Sequence, residues 1–226
     1  MPLTAQAFLA IWHDIDPAME AEWHRWHTFE HMPERLGIPG FLAGRRYMNP
    51  SAASQSCFTL YEGRDVDVFN SPDYLARLNA PTPWTRKMAP AFRNFMRGAC
   101  RCTASHGQGY GGAVMALRFN KSEHDEPLPK IDTSALIAGT SIAPGVVGVH
   151  TGICEQDVTR VETNERKMRS ATGESRYDAV IIVEGWDHET LASQRPALID
   201  IATGSVRGYE LYHAEVYSLT YLLRSD

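Results

Sequence analysis

Residues Ile38–Tyr47, IPGFLAGRRY, have a counterpart in Ala143–Gly152, APGVVGVHTG, and Thr59–Asp65, TLYEGRD, has one in Ile181–Asp187, IIVEGWD. In both halves a Pro-Gly opens one β-rich run and a Glu-Gly closes the next, so the chain reads as an internal duplication. Working outward, the first half has strands at Ala7–Ile15, Phe41–Met48, Ser56–Glu62 and Asn94–Thr103. A helix precedes the second strand, and Ser71-Pro72 and Thr82-Pro83 start helices after the third. The second half has strands at Ala113–Asn120, Gly145–Cys154, Tyr177–Glu184 and Tyr209–Leu223, and a helix at Glu189–Ala202. Its first helix, in PLPKIDTSALIAG (127–139), is short and Pro-broken.

The order β-α-β-β-α-β thus occurs twice, which is the split βαβ arrangement of ferredoxin-like domains. The predicted fold is α+β: two fused ferredoxin-like repeats, 1–106 and 107–226, meeting at the linker-like GQGYGG (107–112). Their sheets are expected to close an eight-strand barrel with helices outside and one small ligand within. Strand alternation turns Val146, Gly148 and His150 inward and Val147 and Val149 toward the helices. The duplication puts Arg45 at the position of His150. In the last strand Leu211, His213, Glu215 and Tyr217 are expected to face inward.

The first helix is the distinctive one. In AEWHRWHTFEHMPERLGIP (21–39), His24, His27 and His31 share one face at helical spacing, with Met19, Trp26 and Phe29 on the other. Asp14 or Asp16 caps it, and Pro33 starts a fresh turn.

Composition sets the outer bounds. The 226 residues are 43% hydrophobic and 22% charged, as in ordinary globular proteins. A net charge of −5 without a Lys/Arg run speaks against nucleic acid or an anionic membrane as partner. Neither a signal peptide nor a membrane-spanning run is recognisable. Four cysteines without a CxxC pair suit a reducing compartment, so the expected location is cytoplasmic.

The segment EWHRWHTFEHMPERLGIPGFLAGRRY (22–47) resembles the W-[YH]-x-x-E-H-x-P-E-R-L…PGF…RRY pattern of EthD-like proteins in the dimeric α/β-barrel superfamily. SPDYLARLNAPTPWTRKMAPAFRNFMRG (71–98) is similar to the second-helix segment of an uncharacterised bacterial branch of that group. Trp26, Glu30, His31, Pro33, Glu34 and Arg35 fall on the shared motif, whereas His27 stands where Tyr is usual and Thr28 where Asp is usual. The resemblance implies the barrel fold. It leaves the reaction open among cofactor-free monooxygenases, cyclases, decarboxylases, dehydratases, isomerases and haem enzymes.

Among the chemically capable residues, His31 is the first candidate acid–base group, with Glu30 beside it and His27 one turn back. Arg45 and Arg86 are candidates for holding an anion, and Trp12, Tyr61 and Trp84 for an aromatic pocket. His150, His213 and Tyr217 join them through strand alternation. The three helix histidines lack the Asp, Cys or HExxH companions of a zinc site, so no metal and no cofactor is expected, and a solvated helix face is the plainer account of them. Together these residues suggest an acid–base lyase or isomerase acting on a small aromatic or polyketide-like acid inside the barrel. A cofactor-free or haem-dependent oxidase is the alternative, and a ligand-binding stress-response barrel a third. A homodimer is expected, although the chain carries both repeats.

Overall fold

The computed structural model describes residue 3 and residues 5–122, 129–169 and 176–225. Strands β1 (Ala7–Ile15), β2 (Phe41–Met48), β3 (Cys57–Gly63) and β4 (Phe92–Gly107) belong to the first half. The second contributes β5 (Ala113–Lys121), β7 (Val146–Cys154), β8 (Ala179–Gly185) and β10 (Tyr209–Arg224). Two further strands, β6 (Lys130–Ile131) and β9 (Val206–Arg207), pair as a separate ribbon. The eight long strands form an antiparallel barrel in the order β1-β3-β2-β10-β5-β8-β7-β4, with β4 pairing back onto β1. Within each half the order is fourth, first, third, second, and the halves join through β2 against β10 and β4 against β7.

The two halves share a register. Phe41 opposes Gly63 and Val146 opposes Gly185, and a bulge follows each. Arg45 then opposes Leu60 as His150 opposes Ile182.

The lumen holds side chains rather than a ligand chamber, contrary to the sequence expectation. Trp12, Tyr47, Phe58, Tyr177 and Tyr217 are all fully buried there, with Trp12 stacked on Phe58 at 4.7 Å and edge-on to Tyr177 at 5.3 Å. An eight-strand barrel is just wide enough for its own side chains to fill, and these aromatics do so. Gly98 and Gly152 make the room: a Cβ at either would run into Tyr177 or Phe8.

Helices cover the outer face, among them α3 (Pro72–Asn79) and α4 (Pro83–Met88) on the first half. In the second half α5 (Thr133–Ser141), α8 (His188–Ser193) and α9 (Arg195–Gly204) lay Leu136, Leu191 and Leu198 over Met115, Leu117 and Ile181. The single helix expected at Glu189–Ala202 is two, because Pro196 sits in the first turn of α9, where its missing N–H is harmless. Pro127 and Leu128 of the expected Pro-broken helix lie outside the described residues. Two short helices that sequence patterning did not reveal follow β7: α6 (Gln156–Thr159) and α7 (Asn164–Arg169). No described helix is long and apolar enough to cross a membrane.

Two more expectations change. GQGYGG is a barrel cap rather than a free linker: Tyr110 lies over the Arg45 guanidinium at 4.5 Å, and the Gly111 N–H donates to Glu184 at 2.6 Å. In β10 a bulge between Leu211 and His213 turns Leu211 outward, onto the helix side with Ala214 and Val216, while Tyr217 stays inside.

Candidate active site

Three helical pieces carry the histidines: α1 (Glu20–Trp26), a π-helical turn over His27–His31, and α2 (Met32–Leu36). Asp16 caps the short turn that precedes α1 by accepting from the Ala18 N–H. The π turn changes which residues meet. In an α-helix, residues five apart stand about 140° apart. Here the Met32 N–H bonds back to the His27 carbonyl, and Trp26 and His31 come ring to ring at 4.2 Å. The expected amphipathic division is therefore wrong. Trp23, Trp26 and His27 are buried against the sheet, and Phe29 is 73% exposed.

A cavity of about 50 Å³ lies between this helix and the outer face of the first-half sheet. It therefore sits outside the barrel wall, on the other side of the strands from Trp12 and Phe58. Period-two alternation presents Ile11 and His13 of β1, Thr59 and Tyr61 of β3 and Arg97 of β4 to it. His27, His31 and Arg35 come down from the helix. Glu165 and Arg169 of α7 close it from the second half, and Phe92 and Phe95 of β4 from the first. The equivalent gap in the second half is filled: Phe119 occupies the register position of His13, packed with Leu136 and Leu198.

The electrostatics keep the three cavity imidazoles neutral. Burial pulls His13 down to about 4. Burial first, then the nearby cations Arg46 and Arg35, hold His27 and His31 well below the usual imidazole range. The His13 Nδ1 lies 3.4 Å from the Asp14 carbonyl, which can only accept, so Nε2 keeps its lone pair. Arg35 is anchored to Glu165 at 2.5 Å and to Glu34 at 3.2 Å. Four buried polar atoms around the cavity have no protein partner: His31 Nδ1, Thr59 Oγ1, the Tyr61 hydroxyl and Arg97 Nε. Such atoms call for a bound molecule or water. Among the described residues, no group of three or more His, Cys, Asp or Glu side chains is placed to hold a metal ion.

The sequence candidates separate into three places. His27, His31 and Tyr61 meet at the cavity. Arg45, Trp12, His150 and Tyr217 are inside the barrel, and His213 is half-buried at the bulge of β10. Glu30, Trp84 and Arg86 belong to neither: Glu30 accepts from Thr82 at 2.6 Å instead of holding His31, Trp84 donates to Glu22 at 3.0 Å, and Arg86 faces solvent. His24 is half-exposed beside Glu20. Sequence inspection missed His13, Arg97 and Glu165 and named Arg35 only as part of the resembling motif, without a role. A histidine in an otherwise apolar strand was the available signal for His13, whereas nothing local marks Glu165, which reaches the cavity only through the fold.

No protein-family model matches the chain, and no curated protein sequence does. Solved structures are similar over nearly the whole chain. An anthrone oxidase-like protein superposes with a TM-score of 0.58 at 10% identity, covering 97% of this chain and 92% of its own. A candidate monooxygenase of Fusobacterium nucleatum gives 0.55 at 9%, covering 97% and 95%. A haem-binding protein of Thermus thermophilus gives 0.55 at 9%, covering 98% and 92%. These likenesses, at 9–10% identity, show that the fold recurs in solved proteins and do not single out the EthD-like branch.

Proposed function

We propose that the protein is an oxidoreductase that oxygenates a small, electron-rich aromatic substrate with dioxygen, using the cavity between the histidine helix and the sheet. One observation carries this: three neutral imidazoles converge on a single buried cavity, and the His31 Nδ1 is unpartnered there. A neutral imidazole can take a proton from an acidic C–H or O–H as the substrate arrives. The low basicity of His31 in the empty cavity rises once a substrate anion forms beside it, because each charge then offsets the other. Arg97, with Nε free to donate, is placed to hold the oxygen of that enolate or phenolate. An anion of this kind is electron-rich enough to reduce dioxygen. For a CH₂ flanked by aromatic rings the balance is substrate plus O₂ to ketone plus water.

Two of the similar structures, an anthrone oxidase-like protein and a candidate monooxygenase, support oxidation over the lyase or isomerase step expected from the sequence. At about 50 Å³ the cavity is far below the roughly 300–1,000 Å³ of cofactor and drug-sized pockets, so haem would need a much larger opening than a small aromatic does. Small-molecule entry still requires side chains such as Phe92 and Phe95 to move. Oxygen uptake in the presence of anthrone or a naphthol tests the proposal. Substrate-dependent uptake that is lost in His31→Ala supports it, and carbon dioxide release or dehydration without oxygen uptake would restore the lyase alternative.

A further inference from the structure

Two arginines are fully buried inside the barrel, and their surroundings differ. Arg45 has Glu62 at 3.2 Å and Glu184 at 2.7 Å. Arg118 of β5, equally buried, has no carboxylate within ion-pair distance among the described residues. Its Nη1 donates to the Met96 sulfur at 2.8 Å, and its guanidinium lies over the Trp12 ring at 4.6 Å. Nε and Nη2, the paired edge of the guanidinium fork, have no partner.

The side chains around Arg118 have unsatisfied groups as well. Trp12 Nε1, the Tyr217 hydroxyl and His213 Nδ1 are buried and unpartnered. His213 is the ladder partner of Arg118. Tyr217 stands 5.7 Å from Phe58, which itself stacks on Trp12. The inventory is therefore three donor-only N–H groups, one hydroxyl, one imidazole nitrogen and one positive charge, with no carboxylate paired to that charge among the described residues. Glu215, expected on the same face of β10 as His213 and Tyr217, accepts from the Val216 backbone N–H at 3.0 Å, and no ion pair joins it to Arg118 among the described residues. Burial pulls the Arg118 guanidinium below its usual range, with only tyrosines nearby to oppose that. A buried cation without a counter-charge is costly, and water removes none of that charge. Arg118 is itself fully buried among packed side chains, so an anion reaches its free edge only as Tyr212, 51% exposed with its ring 5.5 Å from Arg118, swings aside.

We infer that the Arg118 end of the barrel is a binding site for a small planar carboxylate, held side-on by Nε and Nη2 and steadied by Trp12 Nε1 and the Tyr217 hydroxyl. A two-oxygen anion matches the fork geometry, which a spherical halide cannot. The site lies across the barrel wall from the histidine cavity, so its occupancy is separable from turnover.

Sodium formate is the probe, exchanged for sodium chloride at constant ionic strength while the melting midpoint of the whole chain is followed. The midpoint should rise saturably with formate in the wild type and in His31→Ala, and should not respond in Arg118→Met. If Arg118→Met does not fold, Trp12→Phe and Tyr217→Phe each delete one donor and keep the ring. Each should then raise the half-saturating formate concentration about threefold to tenfold. A wild-type midpoint indifferent to formate, or a response of equal strength in all the variants, would overturn the inference.

Discussion

Arg45 and His150 meet on one carboxylate: Glu184 Oε1 lies 2.7 Å from Arg45 Nη1 and 3.0 Å from His150 Nε2. The two residues hold equivalent register positions in the two halves, and Glu62 is the register equivalent of Glu184. The carboxylate can only accept, so His150 Nε2 carries a proton toward it, while Nδ1 lies 2.8 Å from the Ser105 hydroxyl. This cluster is sealed under Tyr110 and Gly111, which suits it for structure rather than chemistry.

Glu184→Gln should therefore destabilise the protein strongly. Burial opposes the Glu184 charge, but the His150 hydrogen bond and Arg45 outweigh it and hold the carboxyl down to about 2. Neutralising one member of a buried ion cluster leaves Arg45 under-compensated, at a cost of about 3–5 kcal/mol. Urea unfolding would show the loss, and oxygen uptake per folded molecule should be unchanged. Intact stability with lost uptake would instead put the chemistry inside the barrel.

Glu165→Gln probes the contact between the halves. Glu165 is buried and ties Arg35, on the histidine helix, to α7 through a 2.5 Å bridge. Its loss leaves Arg35 with Glu34 alone, at 3.2 Å. The expected result is a stability loss of about 3 kcal/mol with faster amide exchange in α7. A change below about 0.5 kcal/mol would show that the bridge is inconsequential.

Much of the fold was legible in the sequence because strand alternation and paired Pro-Gly and Glu-Gly signals are local. β1 and β2 fall on the residues that patterning assigns, and Arg45 pairs in the register the duplication predicts. The site was legible only in part. Helical periodicity groups His24 with His27 and His31, but the π turn rotates His31 onto Trp26 and leaves His24 beside Glu20. A lumen filled by Trp12, Tyr47 and Phe58 could not be told from a hollow one, since inward-facing aromatics serve either. Glu165 joins Arg35 across 130 residues, a pairing that no local pattern encodes.

Acid should destabilise the protein in a histidine-specific window. The His13 imidazole falls from an ordinary 6.5 to about 4 on folding, so the unfolded chain binds the extra proton between those values. Its contribution is complete above about pH 6.5 and is lost as pH falls toward 4, amounting to about 3 kcal/mol. His27 and His31 shift in the same direction and steepen the loss. His13→Phe, matching Phe119 in the other half, should flatten the slope of stability against pH between 6.5 and 4. An unchanged slope would mean that His13 is hydrated and titrates normally.

The histidine helix offers the most direct test of the proposed chemistry, because three chemically identical side chains differ only in placement. His24 is half-exposed beside Glu20, so His24→Ala should shift stability by less than about 0.5 kcal/mol and leave oxygen uptake intact. His31 has the unpartnered Nδ1 at the cavity, so His31→Ala should lower kcat about 10²–10⁴-fold, the usual contribution of a positioned base. His27 rests against His31 at 5.6 Å and within 3.5 Å of Arg46, so its removal should act through position and cost less than removal of His31. His31→Gln, which keeps polarity without basicity, should be as inactive as the alanine variant while melting near the wild type. If His24→Ala and His31→Ala lose activity equally, placement at the cavity does not decide function. If His31→Gln retains turnover, the ring is not the base.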